Sequence, residues 1–319
     1  MNTESIKKNT HIYFLALIGA IAYGFFAFTS MQSLYFLGSG DINELVNYFD
    51  DHPGLDTIGQ EGIGTNTAFR YAVIFLGIFF QTEFIIILSY IAFITASISF
   101  GICAVNIRSS KHLIYVLPLF LMIFFSPNVI FLFSSGIRSA IAFAFLLLAI
   151  VNKNLLIRYI LFVLSSVIHI SMIPIIALYF LFYILRDRRI NISSLSSYFL
   201  LFLYSISVVY FAYRYQYNVT LVNSSIFYNF LIFCLALLLL FSSKKSIKNV
   251  YGFMSIGIIL IVVAGNFIDV SFSRYTGNAL IFYLFFLVKE AYPSTLMIFS
   301  FGYVPFFILT LYFSALNPF

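Results

Sequence analysis

The sequence predicts an all-α polytopic membrane protein with about eleven transmembrane helices, in a range of about 10–12. Three observations predict it. Of the 319 residues 62% are hydrophobic and only 9% charged. The mean hydropathy is +1.03. Long apolar runs alternate with short loops that hold most of the Lys and Arg, and no polar stretch is long enough for a soluble domain. A single integral membrane domain over residues 1–319 is expected. The pI near 9.1 would suggest nucleic acid in a soluble protein, but basic residues in short loops are topology signals, so no nucleic-acid partner is expected. With four His, no C-x-x-C and no H-E-x-x-H, neither a metal nor another cofactor is expected. Cys103 and Cys234 lie in apolar runs and read as packing residues.

Lys7 and Lys8 precede the first span, residues 11–37, and place the N-terminus in the cytoplasm. Residues 38–66 carry six acids and no Lys or Arg, so they form an external loop. The apolar run 68–80 is too short to cross and reads as a re-entrant or interfacial helix. Thr82 is the expected N-cap of the next span, 84–105. Residues 113–133 go out, broken at Ser126-Pro127-Asn128 because proline removes a backbone donor. Residues 139–151 return to Lys153 and Arg158.

Residues 159–183 read as one long helix or as a hairpin broken near His169. One helix would put Arg186, Arg188, Arg189, Lys244, Lys245 and Lys248 outside; the hairpin keeps them inside and is preferred, with Ser171 capping its second arm and Pro174 in the first turn. Spans at 195–213, 226–242, 250–268, 277–288 and 294–313 complete the threading.

This arrangement leaves 13 of the 17 basic residues inside and eight of the 11 acids outside. The exceptions are Arg70, Arg138, Arg214 and Arg274, on or below the outer face near His169. An ionisable residue inside a membrane is expensive and is a functional candidate by default. Arg138 to Lys153 and Arg274 to Lys289 are each 15 residues, roughly 22 Å of a core about 30 Å thick, so both arginines are recessed. Arg158 to His169 is 11 residues, roughly 16 Å. Helices that stop short imply a cavity open to the outer, periplasmic side. Several cations there suit an anionic substrate.

Certain motifs resemble those of the EpsG/Wzy-type polysaccharide polymerases. Gly40-Asp41 with Tyr48 resembles the family's G-D-x-x-x-Y, the tyrosine standing three residues later here. Gly136-Ile137-Arg138-Ser139-Ala140-Ile141-Ala142 resembles G-[IL]-R-Q-x-[IL]-A, with Ser139 in place of Gln. Ile168-His169-Ile170-Ser171-Met172-Ile173 is similar to F-H-x-S-A-L, and Arg274-Tyr275 to a late Arg-Tyr element. The resemblance covers residues 35–290. It implies a GT-C-like membrane glycosyltransferase that joins undecaprenyl-diphosphate-linked oligosaccharide repeat units into O-antigen, capsular or exopolysaccharide at the outer face of the cytoplasmic membrane. A protein that sets chain length would be a partner.

Glycosyl transfer needs a base for the acceptor hydroxyl and stabilisation of the diphosphate leaving group. His169 is the expected base and Asp41 the group that orients the acceptor. Arg138 and Arg274 form the expected diphosphate clamp, with Arg70, Arg214, Tyr48 and Tyr275 as further binding residues. A transporter or flippase for the same lipid, or an acyltransferase acting on exported polysaccharide, would use a similar set. Frequent Phe and Tyr without Trp fit AT-rich codons and a bacterial gene.

Overall fold

The computed structural model describes residues 3–36, 40–51, 67–107, 110–134, 136–187, 194–214, 248–266, 273–290, 303–305, 307, 308 and 311. No strand occurs among them. The helices are α1 (Thr3–Phe36), α2 (Gly40–Asp51), α3 (Thr67–Phe80), α4 (Phe84–Val105), α5 (Ser110–Phe124), α6 (Pro127–Ser134), α7 (Ile137–Val151), α8 (Leu155–Ile168), α9 (Met172–Asp187), α10 (Ser194–Arg214), α11 (Val250–Asn266) and α12 (Ser273–Glu290). Among the described residues three helices are long and apolar enough to cross a membrane, His11–Phe36, Phe84–Val105 and Ser196–Arg214. A fourth span arises if α5 and α6, bent by 54° at Pro127, count as one. The expected break at Ser126-Pro127-Asn128 is therefore present. The expected span 226–242 and most of 294–313 lie outside the described residues.

The chain forms two compact units. One comprises residues 1–105, 130–173 and 314–319; the other comprises 106–129 and 174–313.

In the first unit α1 and α4 run antiparallel. Ala16, Ala20, Tyr23, Ala27 and Met31 are buried along one stripe of α1, with Ala92, Ala96 and Cys103 buried on α4. Small residues let helix backbones approach closely where lipid offers no hydrophobic drive. Gly24 marks the tightest approach: a Cβ there would run into the Ser97 hydroxyl and the Phe93 ring. Ser97 donates to the Ala20 carbonyl at 3.0 Å, and Tyr23 stacks on Phe100 at 5.4 Å.

Residues 40–51, expected as part of a loop, are helical. Ile42, Val46 and Phe49 recur at helical spacing and are buried, while Asp50 and Asp51 are exposed. Phe49 stacks on Phe84 at 5.3 Å and meets Phe69 edge-on at 6.3 Å, tying α2 to α3 and α4. Thr82 is not the cap of α4. Glu83 holds that place, and its carbonyl accepts from the Ile86 and Ile87 amides at 3.0 and 3.3 Å. Gln81, at φ 49°, turns the chain just before it.

α7 and α8 form a hairpin across Asn152, Lys153 and Asn154. The Asn154 side chain caps α8 by accepting from the Leu156 and Ile157 amides. The Arg158 guanidinium donates to the Asn152 carbonyl, closing the end of α7.

The second unit is built around α12, in which every residue from 275 to 288 is buried. A helix apolar on all sides belongs in a core. It lies antiparallel to α11: Ser255 donates to the Ala279 carbonyl at 2.9 Å and Tyr251 stacks on Phe285 at 5.1 Å. α10 joins through Ser205, which donates to the Leu201 and Gly257 carbonyls. The Tyr204 hydroxyl reaches the Pro174 carbonyl at 2.7 Å. Lys289, at the far end of α12, donates to the Tyr251 hydroxyl at 3.1 Å and lies over its ring.

Candidate functional site

Arg138 is the second residue of α7 and is half-buried. Gly136 is the N-cap and no side chain caps that helix. A Cβ at Gly136 would come within 3.1 Å of the Leu132 carbonyl, so glycine allows the tight passage from α6 into α7. The first backbone N–H groups of a helix carry the positive end of its dipole, and Arg138 adds a full charge at that point. Phe133, just before this turn, packs edge-on to Tyr23 at 6.1 Å, midway along α1. Phe133 thus places the end of α6 beside the middle of α1.

His169 stands where α8 stops. Its backbone is extended (φ −149°, ψ 106°), and its amide donates to the Ser165 carbonyl at 3.1 Å. Its own carbonyl accepts from the Met172 amide at 2.9 Å, so the chain begins α9 three residues later. The expected interruption is present at this residue. Ser171 immediately precedes α9, and Pro174 occupies its first turn.

The hairpin brings Arg138 and His169 to one end. Ser165 on α8 donates to the Ala142 carbonyl on α7 at 2.7 Å, and both groups are buried. Arg138 lies one turn before Ala142, and His169 one turn after Ser165. In an antiparallel pair these two steps lead in the same direction.

Arg70 and Tyr48 also meet. The Arg70 guanidinium carbon is 3.9 Å from the centre of the Tyr48 ring. The two come from different helices, α3 and α2, and the stack fixes a planar cation at half-buried depth. Asp41 is the second residue of α2, which replaces its expected position at the end of the first helix; its side chain is outside the described residues.

In the second unit Arg214 is the last residue of α10 and is exposed. Arg274 and Tyr275 sit in the first turn of α12, which begins at Ser273 and not near Gly277 as the sequence suggested. Tyr275 is buried; the Arg274 side chain is outside the described residues. Sequence reasoning passed over Asn278 and Thr276, both fully buried in α12. An Asn in an apolar run was the available signal.

The helices and their half-buried cations define an all-helical protein with several segments able to cross a membrane, the build of a multi-pass membrane protein. Compared with known proteins, the chain matches no family model, no curated protein and no solved structure.

Proposed function

We propose that the protein is a polysaccharide polymerase of the bacterial cytoplasmic membrane, joining oligosaccharide repeat units carried on undecaprenyl diphosphate at the outer face. The observation that carries this reading is the register of the α7–α8 hairpin, which brings Arg138, at a helix start without a side-chain cap, and His169, at a helix break, to one end. The stacked Arg70–Tyr48 pair in the same unit supports it, since a planar cation and an aromatic ring suit phosphate oxygens and sugar faces. About eleven crossings with a cytoplasmic N-terminus belong to the same reading.

In the proposed reaction the acceptor hydroxyl attacks the anomeric carbon of the donor's diphosphate-linked sugar. A new C–O bond forms while the bond to the diphosphate breaks. His169 takes the hydroxyl proton, Asp41 orients the acceptor, and Arg138 stabilises the departing diphosphate.

Purified protein in lipid nanodiscs, supplied with synthetic lipid-linked repeat units, tests this. The parent should lengthen the saccharide. His169→Gln should bind donor lipid and transfer little, with the loss in rate. Normal elongation by His169→Gln alongside failure of Asp41→Asn would reverse the two roles. Translocation of the lipid without elongation would instead identify a transporter.

A further inference from the structure

Along one side of α9 the surface is hollowed into a groove of about 530 Å³, lined by Phe180, Tyr183, Ile184 and Arg186. That volume falls within the usual range of ligand sites, about 300–1,000 Å³. Phe180 to Tyr183, Phe180 to Ile184 and Tyr183 to Arg186 are each three or four residues apart, so the four side chains form one stripe. The stripe runs roughly 9 Å along the helix, apolar at Phe180 and cationic at Arg186. Another side of α9 faces into its own unit, where Phe182 meets Phe253 of α11 at 5.4 Å. Tyr183 and Ile184 stay 41% and 53% exposed.

Arg186 is exposed, and among the described residues its guanidinium donates to nothing. Other cations near helix ends are taken up inside the protein. Arg158 donates to the Asn152 carbonyl, and Lys289 donates to the Tyr251 hydroxyl. The negative end of the α9 dipole accounts for a positive charge in the last turn. It does not account for the hollow beside that charge or for the exposed ring one turn away. Residues 186–189 read Arg-Asp-Arg-Arg, so positive charge stays in excess there.

We infer that this groove binds an anionic phospholipid. The phosphodiester pairs with Arg186, the glycerol lies against Tyr183, and the start of an acyl chain follows Ile184 and Phe180. A guanidinium offers two parallel donors to phosphate oxygens. Cationic side chains at the membrane surface attract acidic head groups. Charge selects the head group and the apolar stripe takes the chain, so neither a soluble anion nor a neutral lipid engages both ends. The residues of this site belong to the second unit, whereas Arg138 and His169 belong to the first.

The test uses the purified full chain in nanodiscs of phosphatidylcholine with a minor fraction of phosphatidylglycerol, released into native mass spectrometry to count the lipids retained. The parent should retain phosphatidylglycerol in preference. Arg186→Gln should weaken that retention about fivefold and leave phosphatidylcholine unchanged. Ile184→Trp fills the groove and leaves the charge, and should show a similar loss. Lys153→Gln removes an exposed cation outside the groove and should change nothing. All three substitutions are at exposed positions, and each variant should keep the parent's Tm. Equal losses in Arg186→Gln and Lys153→Gln, or full retention by Ile184→Trp, would reduce the binding to general surface charge and overturn the inference. So would a parent with no preference between the lipids. Displacement of the lipid by excess soluble glycerol phosphate would identify a pocket for soluble anions instead.

Discussion

Ser165 donates its hydroxyl hydrogen to the Ala142 carbonyl across 2.7 Å, deep in the contact between α7 and α8. The bond is structural, but its position one turn from both Arg138 and His169 makes it the device that aligns them. Ser165→Ala should therefore lower stability by about 0.5–1.5 kcal/mol, the worth of one such bond. Ser165→Leu should force the helices apart and abolish elongation although both polar residues remain. Thermal unfolding and elongation assays on the two variants check this. Full elongation by the Leu variant would show that the hairpin's alignment is immaterial.

Arg138→Lys should insert and fold like the parent and fail to elongate. Lysine keeps the charge but loses the planar fork that pairs with two phosphate oxygens at once. Polysaccharide length from cells carrying the variant, with membrane levels of the protein as control, gives the readout. Full-length product would reduce Arg138 to an anchor.

The Arg70–Tyr48 stack separates ring from hydroxyl. Tyr48→Phe keeps the aromatic face and should retain donor affinity and activity. Tyr48→Leu removes the face and should weaken the hold on Arg70 by about 0.5–1 kcal/mol. A several-fold loss of donor binding in the Leu variant alone is expected. Equal losses in both would move the role to the tyrosine hydroxyl.

Two glycines test the α1–α4 contact against each other. Gly24→Ala places a methyl group against Ser97 and Phe93 and should destabilise the protein by about 1–3 kcal/mol. Gly101→Ala meets only the Ala20 methyl at 3.5 Å, an ordinary contact. It should be neutral, or stabilising by up to about 1 kcal/mol through helix propensity. Thermal unfolding of both in detergent decides; equal effects would mean that the close approach at Gly24 carries no energy.

What was legible in the sequence followed from strong local physics. The break at Pro127 was visible because proline lacks a donor. The break at His169 was reached chiefly through charge, by refusing to place six cations outside, with Ser171 and Pro174 offering a start for the second arm. α2 was misread because its acids dominate its composition. Its apolar residues at 42, 46 and 49 keep helical spacing, but the pattern is short and flanked by Gly, which favoured a loop. Gly277 suggested a helix start, yet Ser273 to Thr276 contain nothing to stop the helix from beginning earlier. The meeting of Arg70 with Tyr48 was not legible at all. It depends on how α2 and α3 seat on α4, through contacts such as Phe49 on Phe84, which no local pattern encodes.

The second unit is discontinuous along the chain: its first piece ends at residue 129 and its second begins at 174. This has a consequence during synthesis. Apart from residues 314–319, every part of the first unit has been made by residue 173, so the α7–α8 hairpin can align early, without waiting for the second unit. α5 has no such prospect. Its contact with α12 waits until residue 273 and beyond have been made, well over a hundred residues later. During that interval α5 must be sheltered by lipid or by the insertion machinery. Nascent chains halted before α12 should accordingly be cleared by membrane proteases, and slowing translation between residues 130 and 273 should lower yield more than slowing it earlier.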